Sequence, residues 1–316
     1  MFRTFIAILL ISIVVSNDTF AFKKFSEFIE KFDKHYKSIE EFKHRFNIFK
    51  NSLNFLSANG HKTKHGYTKF SDMTVEEFKA TLTLKIPKDN KFCLPSKLKF
   101  LQDTKIAESL DYRALGKVSP VKDQYTCGSC WAFSTTGFLE SQILMKNQEP
   151  QTLSEQQLVD CDRKIDQGCN GGLQQYAFNY VEEKGIMPDM YYTYLGIEDE
   201  CRYNSSYATH KVKNVKCHEN ATTDEIKQYL NEVGPMAIAL DATDMMYYDN
   251  SILDCSNGEL NHAVLLVGYG TENGKDYWIV KNSWGPKWAE KGYVRINQET
   301  GKNCGIGIYV VSAELA

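Results

Sequence analysis

The sequence predicts an α+β fold, a helical half followed by a strand half with a cleft between them, behind a separable helical module. Three observations predict it. Apolar residues recur at helical spacing before residue 60, helical periodicity continues from 130 to 183, and beyond about residue 210 short β-branched or aromatic runs bounded by Gly, Asn or Pro take over.

Each element follows from its own residues. Arg3 precedes an apolar run from Phe5 to Val15, shorter than the roughly 20 residues a membrane span needs. It reads as a secretory signal peptide, residues 1–21, cleaved after Ala21, with an uncleaved anchor as the alternative. Phe42, Phe46, Phe49, Leu53 and Leu56 alternate spacings of four and three, one stripe on a helix that Asn59-Gly60 and Gly66 close. Tyr67 to Asp72 is expected as a short strand, and Pro87 and Pro95 among mixed charges as an exposed linker. Three helices are predicted next: Cys130 to Leu144; Ser154 to Val159, with Ser154 and Gln157 at capping-box spacing; and Leu173 to Glu183, stopping before Gly185. Strands are predicted at Met236 to Leu240, Ala263 to Tyr269, Tyr277 to Lys281 and Tyr293 to Ile296. A helix from Asp224 to Val233 carries Ile226, Tyr229, Leu230 and Val233 on one face.

The 316 residues, 42% hydrophobic and 24% charged with net charge -3, fit a soluble globular chain of about two domains and give no electrostatic case for nucleic acid. Secretory entry makes the nine cysteines a disulfide question, and an odd count leaves at least one thiol over. Asn204-Ser205-Ser206 and Asn220-Ala221-Thr222 are glycosylation sequons consistent with that route.

The residues of greatest chemical interest are CGSCWAF, Cys127 to Phe133, where a turn feeds into an amphipathic helix. Unpaired amide groups and the positive end of the helix dipole lower a thiol's pKa at such a position, which makes Cys130 the candidate nucleophile. His262 in LNHAVLLVGYG stands at a strand entrance, and Asn282 in KNSWG follows a strand. An amide oxygen can hold one imidazole nitrogen and leave the other for a thiol, the orienting role in a nucleophile, base and orienter set.

QYTCGSCWAFS, LNHAVLLVGYG and KNSWG resemble the three active-site motifs of papain-like cysteine proteases. His262 and Asn282 follow Cys130 by 132 and 152 residues, near the family separation of roughly 130 to 150. The resemblance implies a two-lobed fold, with a helical N-terminal lobe, a β-barrel-like C-terminal lobe and the active site in the cleft. It runs from about Ile106 to the C-terminus as a peptidase domain, 106–316. Before it, residues 22–105 resemble a cathepsin L-like prosegment: Glu41, Arg45, Phe49 and Leu56 match the helical ERFNIN pattern, and Gly66, Phe70 and Asp72 the GNFD pattern. Ser52, Gly60 and Thr68 stand where those patterns have asparagines. DCD, GCNGGL and LNHAVLLVGYG are similar in style to viral cathepsins of insect viruses.

From the resemblance follow the expected roles. Cys130 and His262 carry acyl transfer, Asn282 orients the ring, and Gln124 donates to the oxyanion with the Cys130 amide. Trp284 shields the Asn-His bond. Gly171 and Gly172 form the edge that takes an extended substrate. Leu173, Ala239, Leu260 and Tyr309 line the pocket for the second residue before the scissile bond, with Asn261 and Trp284 counted among the binding residues. Tyr309 at the pocket floor implies Leu or Val there over Phe or Arg. Tyr125 stands where the family has glycine and Tyr112 where it has tryptophan, so the turn carrying Gln124 has a side chain to accommodate. The implied disulfides are Cys127 to Cys169, Cys161 to Cys201 and Cys255 to Cys304. Cys93 and Cys217 remain: either Cys217 is an unpaired thiol or the two pair in the precursor. The resemblance implies a monomeric secretory zymogen without metal or cofactor. Its own prosegment would inhibit it until acid releases it, in a lysosome-like compartment or outside the cell, and its substrates would be proteins or peptides. A C-x-x-C metal or redox site is the competing class, but it leaves His262, Asn282 and Gln124 without a role. A third class, an inactive homologue, would have lost the thiol, the base or the oxyanion donor, and all three are present.

Overall fold

The computed structural model describes residues 19–59, 66–84, 86 and 105–316. The chain divides into two compact units, one formed by residues up to Phe78 with Met246–Asp249, the other by Lys79–Met245 with Asn250–Ala316. The signal-peptide run and the linker around Pro87 and Pro95 lie outside the described residues, as does Cys93.

The first unit is built on helices α1 (Thr19–Phe32) and α2 (Ile39–Asn59). The predicted stripe is on the buried face of α2. Phe46 and Phe49 pack with Phe25 and Phe28 in an aromatic cluster, with Phe42 and Leu53 at its border. The segment expected as a strand at Tyr67 to Asp72 is a turn instead. Hydroxyl groups fold it: Thr68 N donates to Ser71 Oγ at 3.0 Å and Phe70 N to Thr68 Oγ1 at 3.2 Å, bonds that take the amides a strand would offer a neighbour. The residues departing from the prosegment patterns still make bonds. Ser52 Oγ donates to Ser71 O at 2.8 Å, and Thr68 Oγ1 to Met246 O at 2.5 Å. Helix α3 (Val75–Thr81) opens on a reciprocal cap in which Thr74 N donates to Glu77 Oε2 and Glu77 N to Thr74 Oγ1.

The second unit holds α4 (Cys130–Met145), α5 (Glu155–Cys161) and α6 (Gln174–Lys184), close to the three predicted helices. Ser154 caps α5 as expected, accepting from Gln157 N at 3.0 Å. The Gln157 side chain does not close the box but donates to Gly185 O and accepts from Met187 N. Gly185 ends α6 at φ +82°, a conformation that glycine adopts without strain. One eight-stranded sheet follows, comprising β1 (Leu110–Asp111), β2 (Val212–Glu219), β3 (Met236–Leu240), β4 (Ile252–Leu253), β5 (His262–Glu272), β6 (Lys275–Lys281), β7 (Tyr293–Asn297) and β8 (Tyr309–Leu315). Its order is β2-β8-β3-β5-β6-β7-β4, with β1 on β5, and only the β4–β7 pair is parallel. Helix α7 (Thr223–Glu232), predicted as Asp224 to Val233, precedes β3 under a complete Thr222/Glu225 capping box. Helix α4 packs on β5, so the start of the central helix and the start of the central strand meet in one core. Among the described residues no helix is long and apolar enough to cross a membrane.

Candidate active site

Cys130 is the first residue of α4 and is buried, 1% exposed. The cap residue Ser129 makes no side-chain bond to the helix, because its hydroxyl is paired with Tyr194 Oη at 2.7 Å. The first amides of the helix are therefore left for the thiol, which lies within hydrogen-bonding range of the backbone N–H groups of Cys130, Trp131 and Ala263. Ala263 follows His262, so the bond brings the catalytic candidates from α4 and β5 together.

His262 opens β5, and Asn282 follows β6, whose last residue Lys281 pairs with Leu265. The imidazole Nε2 lies 2.8 Å from Asn282 Oδ1. That oxygen also accepts from Ser283 N at 2.8 Å, which an NH2 group could not do. Nε2 is thus the protonated nitrogen, and Nδ1, buried and without a partner among the described residues, is left as the acceptor. Trp284 stacks over the imidazole with ring centres 4.8 Å apart. Trp288 holds Trp284 edge-on at 4.9 Å.

Gln124 is held at four points. Its backbone N donates to Ser283 O at 2.8 Å, its carbonyl accepts from Tyr194 Oη at 3.0 Å, Nε2 donates to Cys127 O at 2.9 Å and Oε1 accepts from Ser283 Oγ at 2.6 Å. Nε2 retains a second hydrogen. Tyr125 is accommodated in the left-handed region at φ +53°, its side chain runs outward at 65% exposure, and its ring lies over Tyr194. Sequence reasoning missed Ser283 and Tyr194. Ser283 lies inside the KNSWG motif and could have been marked from it, whereas Tyr194 has no sequence signal.

The thiol departs from the expected direction. Burial pushes Cys130 up to about 11, and the three amides, which pull the other way, do not win. Burial likewise takes His262 down to about 4, with the Asn282 bond opposing. In this form the pair is a neutral thiol beside a neutral imidazole. Thr83 Oγ1 donates to Gly128 O at 3.0 Å and Leu84 N to Asn261 O at 3.1 Å, so residues 83 and 84 bridge the two walls beside Cys130 and His262. Thr83 O comes so near Gly171, φ +113°, that a Cβ there would lie 2.3 Å away. Leu84 is buried in the same core cluster as Cys130, Leu173, Ala239 and Tyr309, with Leu260 packed against it. The structure thereby brings together the residues expected at the substrate edge and in the apolar pocket.

Three disulfides pair as expected, Cys127–Cys169, Cys161–Cys201 and Cys255–Cys304. Cys127 is consequently unavailable as a metal or redox partner of Cys130. Cys217 is disulfide-bonded, which removes the unpaired-thiol alternative, and Cys130 is the free thiol among the described residues. Asn204 and Asn220 are both exposed.

Comparison with known proteins agrees with this arrangement. Residues 106–314 match the model of the papain family cysteine proteases, which spans more than half of the chain. The chain belongs to the papain family of cysteine proteases. Residues 25–78 of this protease match the cathepsin propeptide inhibitor domain, so it is made as a zymogen. It is 41% identical over 291 residues to a viral cathepsin of Choristoneura fumiferana defective polyhedrosis virus, covering 89% of this chain and 88% of that protein. It is 36% identical over 319 residues to a cathepsin L-like proteinase of Fasciola hepatica, covering 96% of each. Among solved structures, a digestive procathepsin L2 proteinase from Tenebrio molitor larval midgut superposes with TM-score 0.86 at 34% identity, over 93% of this chain and 100% of that one.

Proposed function

We propose that the protease is a secretory cysteine endopeptidase in which Cys130 is the nucleophile, His262 the general base and acid, Asn282 the orienter and Gln124 the oxyanion donor. The observation that carries this reading is the fixed tautomer of His262, whose unpartnered Nδ1 belongs to a ring next to the free thiol at the α4 start. Once residues 83 and 84 leave the cleft, water and the freed helix amides stabilise the thiolate, and the proton passes from Sγ to Nδ1. The thiolate adds to the peptide carbonyl, and the oxyanion faces Gln124 Nε2 and the Cys130 N–H. Imidazolium Nδ1–H then protonates the leaving amine, and water deprotonated by the same nitrogen frees the acyl group.

The segments group as signal peptide 1–21, inhibitory prosegment 22–105 and peptidase 106–316, with processing near Ile106. Gly171 and Gly172 take the substrate backbone, and Leu173, Ala239, Leu260, Asn261, Trp284 and Tyr309 surround it. The buried ring of Tyr309 makes the apolar pocket shallow and favours Leu or Val at the second residue before the scissile bond. A monomer, glycosylated at Asn204 and Asn220 and working in an acidic lysosome-like compartment or outside the cell, completes the reading. One experiment tests it: acid processing, then labelling with an epoxide thiol-protease inhibitor and a substrate-library profile on the same sample. Label on Cys130 with Leu or Val preferred is the expected result. An unlabelled Cys130 rejects the mechanism, and a preference for Arg rejects the pocket.

A further inference from the structure

Asp162 and Asp166 flank the loop that ends in Gly171–Leu173, and both are buried, each 4% exposed. Their side chains lie within hydrogen-bonding range of each other. Asp166 Oδ1 accepts from Leu173 N at 2.9 Å. The Oδ2 atom of each carboxyl is buried and receives no hydrogen from any donor among the described residues. Two ionised carboxylates in this position would face each other with two unmet acceptors and no cation in contact. A single proton between them satisfies both oxygens and removes one of the two charges.

We propose that Asp162 and Asp166 share one proton, and that this proton positions the substrate edge Gly171–Leu173, so that losing it weakens substrate binding and leaves the chemical step intact. The proposal rests on the reading of Gly171 and Gly172 as the substrate edge. The loop is a short relay. Asp166 holds Leu173 through its amide, and a Cβ on Gly172 would come within 2.8 Å of Asp166 Cγ and 2.7 Å of the Trp131 ring. Trp131 Nε1 in turn donates to Gly168 O at 3.1 Å, tying the loop to the helix that carries Cys130. Displacing Asp166 therefore moves the edge, while Cys130 and His262 keep their own contacts.

Lys164 on the same loop and Tyr180 on α6 face Asp162, Tyr309 at the start of β8 faces Asp166, and Tyr176, Glu183 and Lys184 of α6 line the cavity beside Asp162. Arg163 is engaged elsewhere, by Glu198 at 3.0 Å. Burial, and for Asp166 next the charge of Asp162, holds both carboxyls above the ordinary aspartate range. A raised folded-state pKa means that the proton is bound at acid pH and its contribution is lost as pH rises through that value.

The test uses the mature enzyme and a peptide substrate, with kcat and KM measured from acid to alkaline pH. Wild-type KM is expected to rise several-fold on the alkaline side. In Asp166→Asn the amide oxygen still accepts from Leu173 N and the NH2 donates permanently to Asp162, so KM stays flat while the pH profile of kcat is unchanged. Asp162→Asn, with its NH2 on Asp166, should behave alike and serves if the first variant fails to fold. Infrared spectra should hold the carbonyl stretch of a protonated carboxyl at neutral pH in the wild type and lose it in Asp166→Asn. Absence of that band, or an alkaline rise of KM in Asp166→Asn equal to the wild type, overturns the proposal. A substrate N-methylated at the second residue before the scissile bond checks the edge separately: wild-type KM unaffected by the methyl group sinks the edge reading and leaves the infrared result standing.

Discussion

The two units of this zymogen answer to charge in opposite ways. In the second unit the polar groups around the catalytic residues are buried and held by neutral hydrogen bonds or by a closed ionic network. Lys122 Nζ bonds Glu140 at 2.6 Å and Glu155 at 2.5 Å, Thr136 Oγ1 donates to Glu155, Ser119 Oγ to Glu140, and Lys281 Nζ to Ser119 at 2.9 Å. In the first unit ion pairs with a part-exposed partner stand beside the buried hydroxyl bonds of Ser52 and Thr68. Lys34 bonds Asp72 at 2.8 Å, and Arg45 bonds Glu77 at 2.7 Å and Asp72 O at 3.0 Å. Burial outweighs Lys122 at Glu155 and raises it, whereas at Glu77 the Arg45 bond outweighs burial and lowers it.

The network under Asn282 gives the largest expected effect. Lys122→Met leaves Glu140 and Glu155 without their shared cation, and removing one partner of a buried pair costs about 3–5 kcal/mol. The loss is greatest at neutral pH and shrinks in acid, where the orphaned carboxylates take up protons. Denaturant unfolding of the mature enzyme at two pH values checks it; a loss that grows in acid contradicts the buried-network half of the contrast. Next comes Gln124→Ala, which removes an oxyanion donor. It should lower kcat by about 10²–10³ with KM and the melting temperature nearly unchanged, as steady-state kinetics would read. An unchanged kcat removes Gln124 from the mechanism.

How much of this was legible follows from where each signal is written. The four helices predicted beyond residue 129 lie within a residue or two of their places because stripe, cap and Gly stop are all local, as at Ser154 and Gly185, whereas α1 and α3 were not predicted. Strand β2 was missed because its register shifts between Lys213 and Lys216, where Asn214 takes φ +54°, so the alternation breaks inside the strand. Strand β8, YVVSAEL, is buried at all but one position and has no alternation to read. Cys130, His262 and Asn282 were legible as candidates through motif and spacing, and Gln124 through the family resemblance. The raised thiol was not, since it follows from the burial of Cys130 in a core assembled from distant segments. The Asp162 and Asp166 pairing was equally invisible, because a sequence gives two aspartates four apart but not that their carboxyls meet in a place without a cation.

Glu77 gives the smallest effect and the sharpest test of the first unit. It caps α3 through Thr74 and pairs with Arg45, and the Arg45 bond is the larger cause of its lowered pKa, with burial opposing. A lowered folded-state pKa contributes stability that is full above the ordinary glutamate value and is lost as pH falls through the folded one. Glu77→Gln keeps the shape and the capping oxygen but not the charge. With the carboxylate about a third exposed, the pair contributes only about 0.2–1 kcal/mol at neutral pH. The variant should therefore begin below the wild type in stability and meet it in acid, below the lowered pKa. If acid releases the prosegment by this route, the precursor variant processes at a higher pH than the wild type, while the mature enzymes, which have lost residue 77, are identical. Processing curves of the two precursors that coincide across pH would show that the Glu77–Arg45 pair is not the acid trigger.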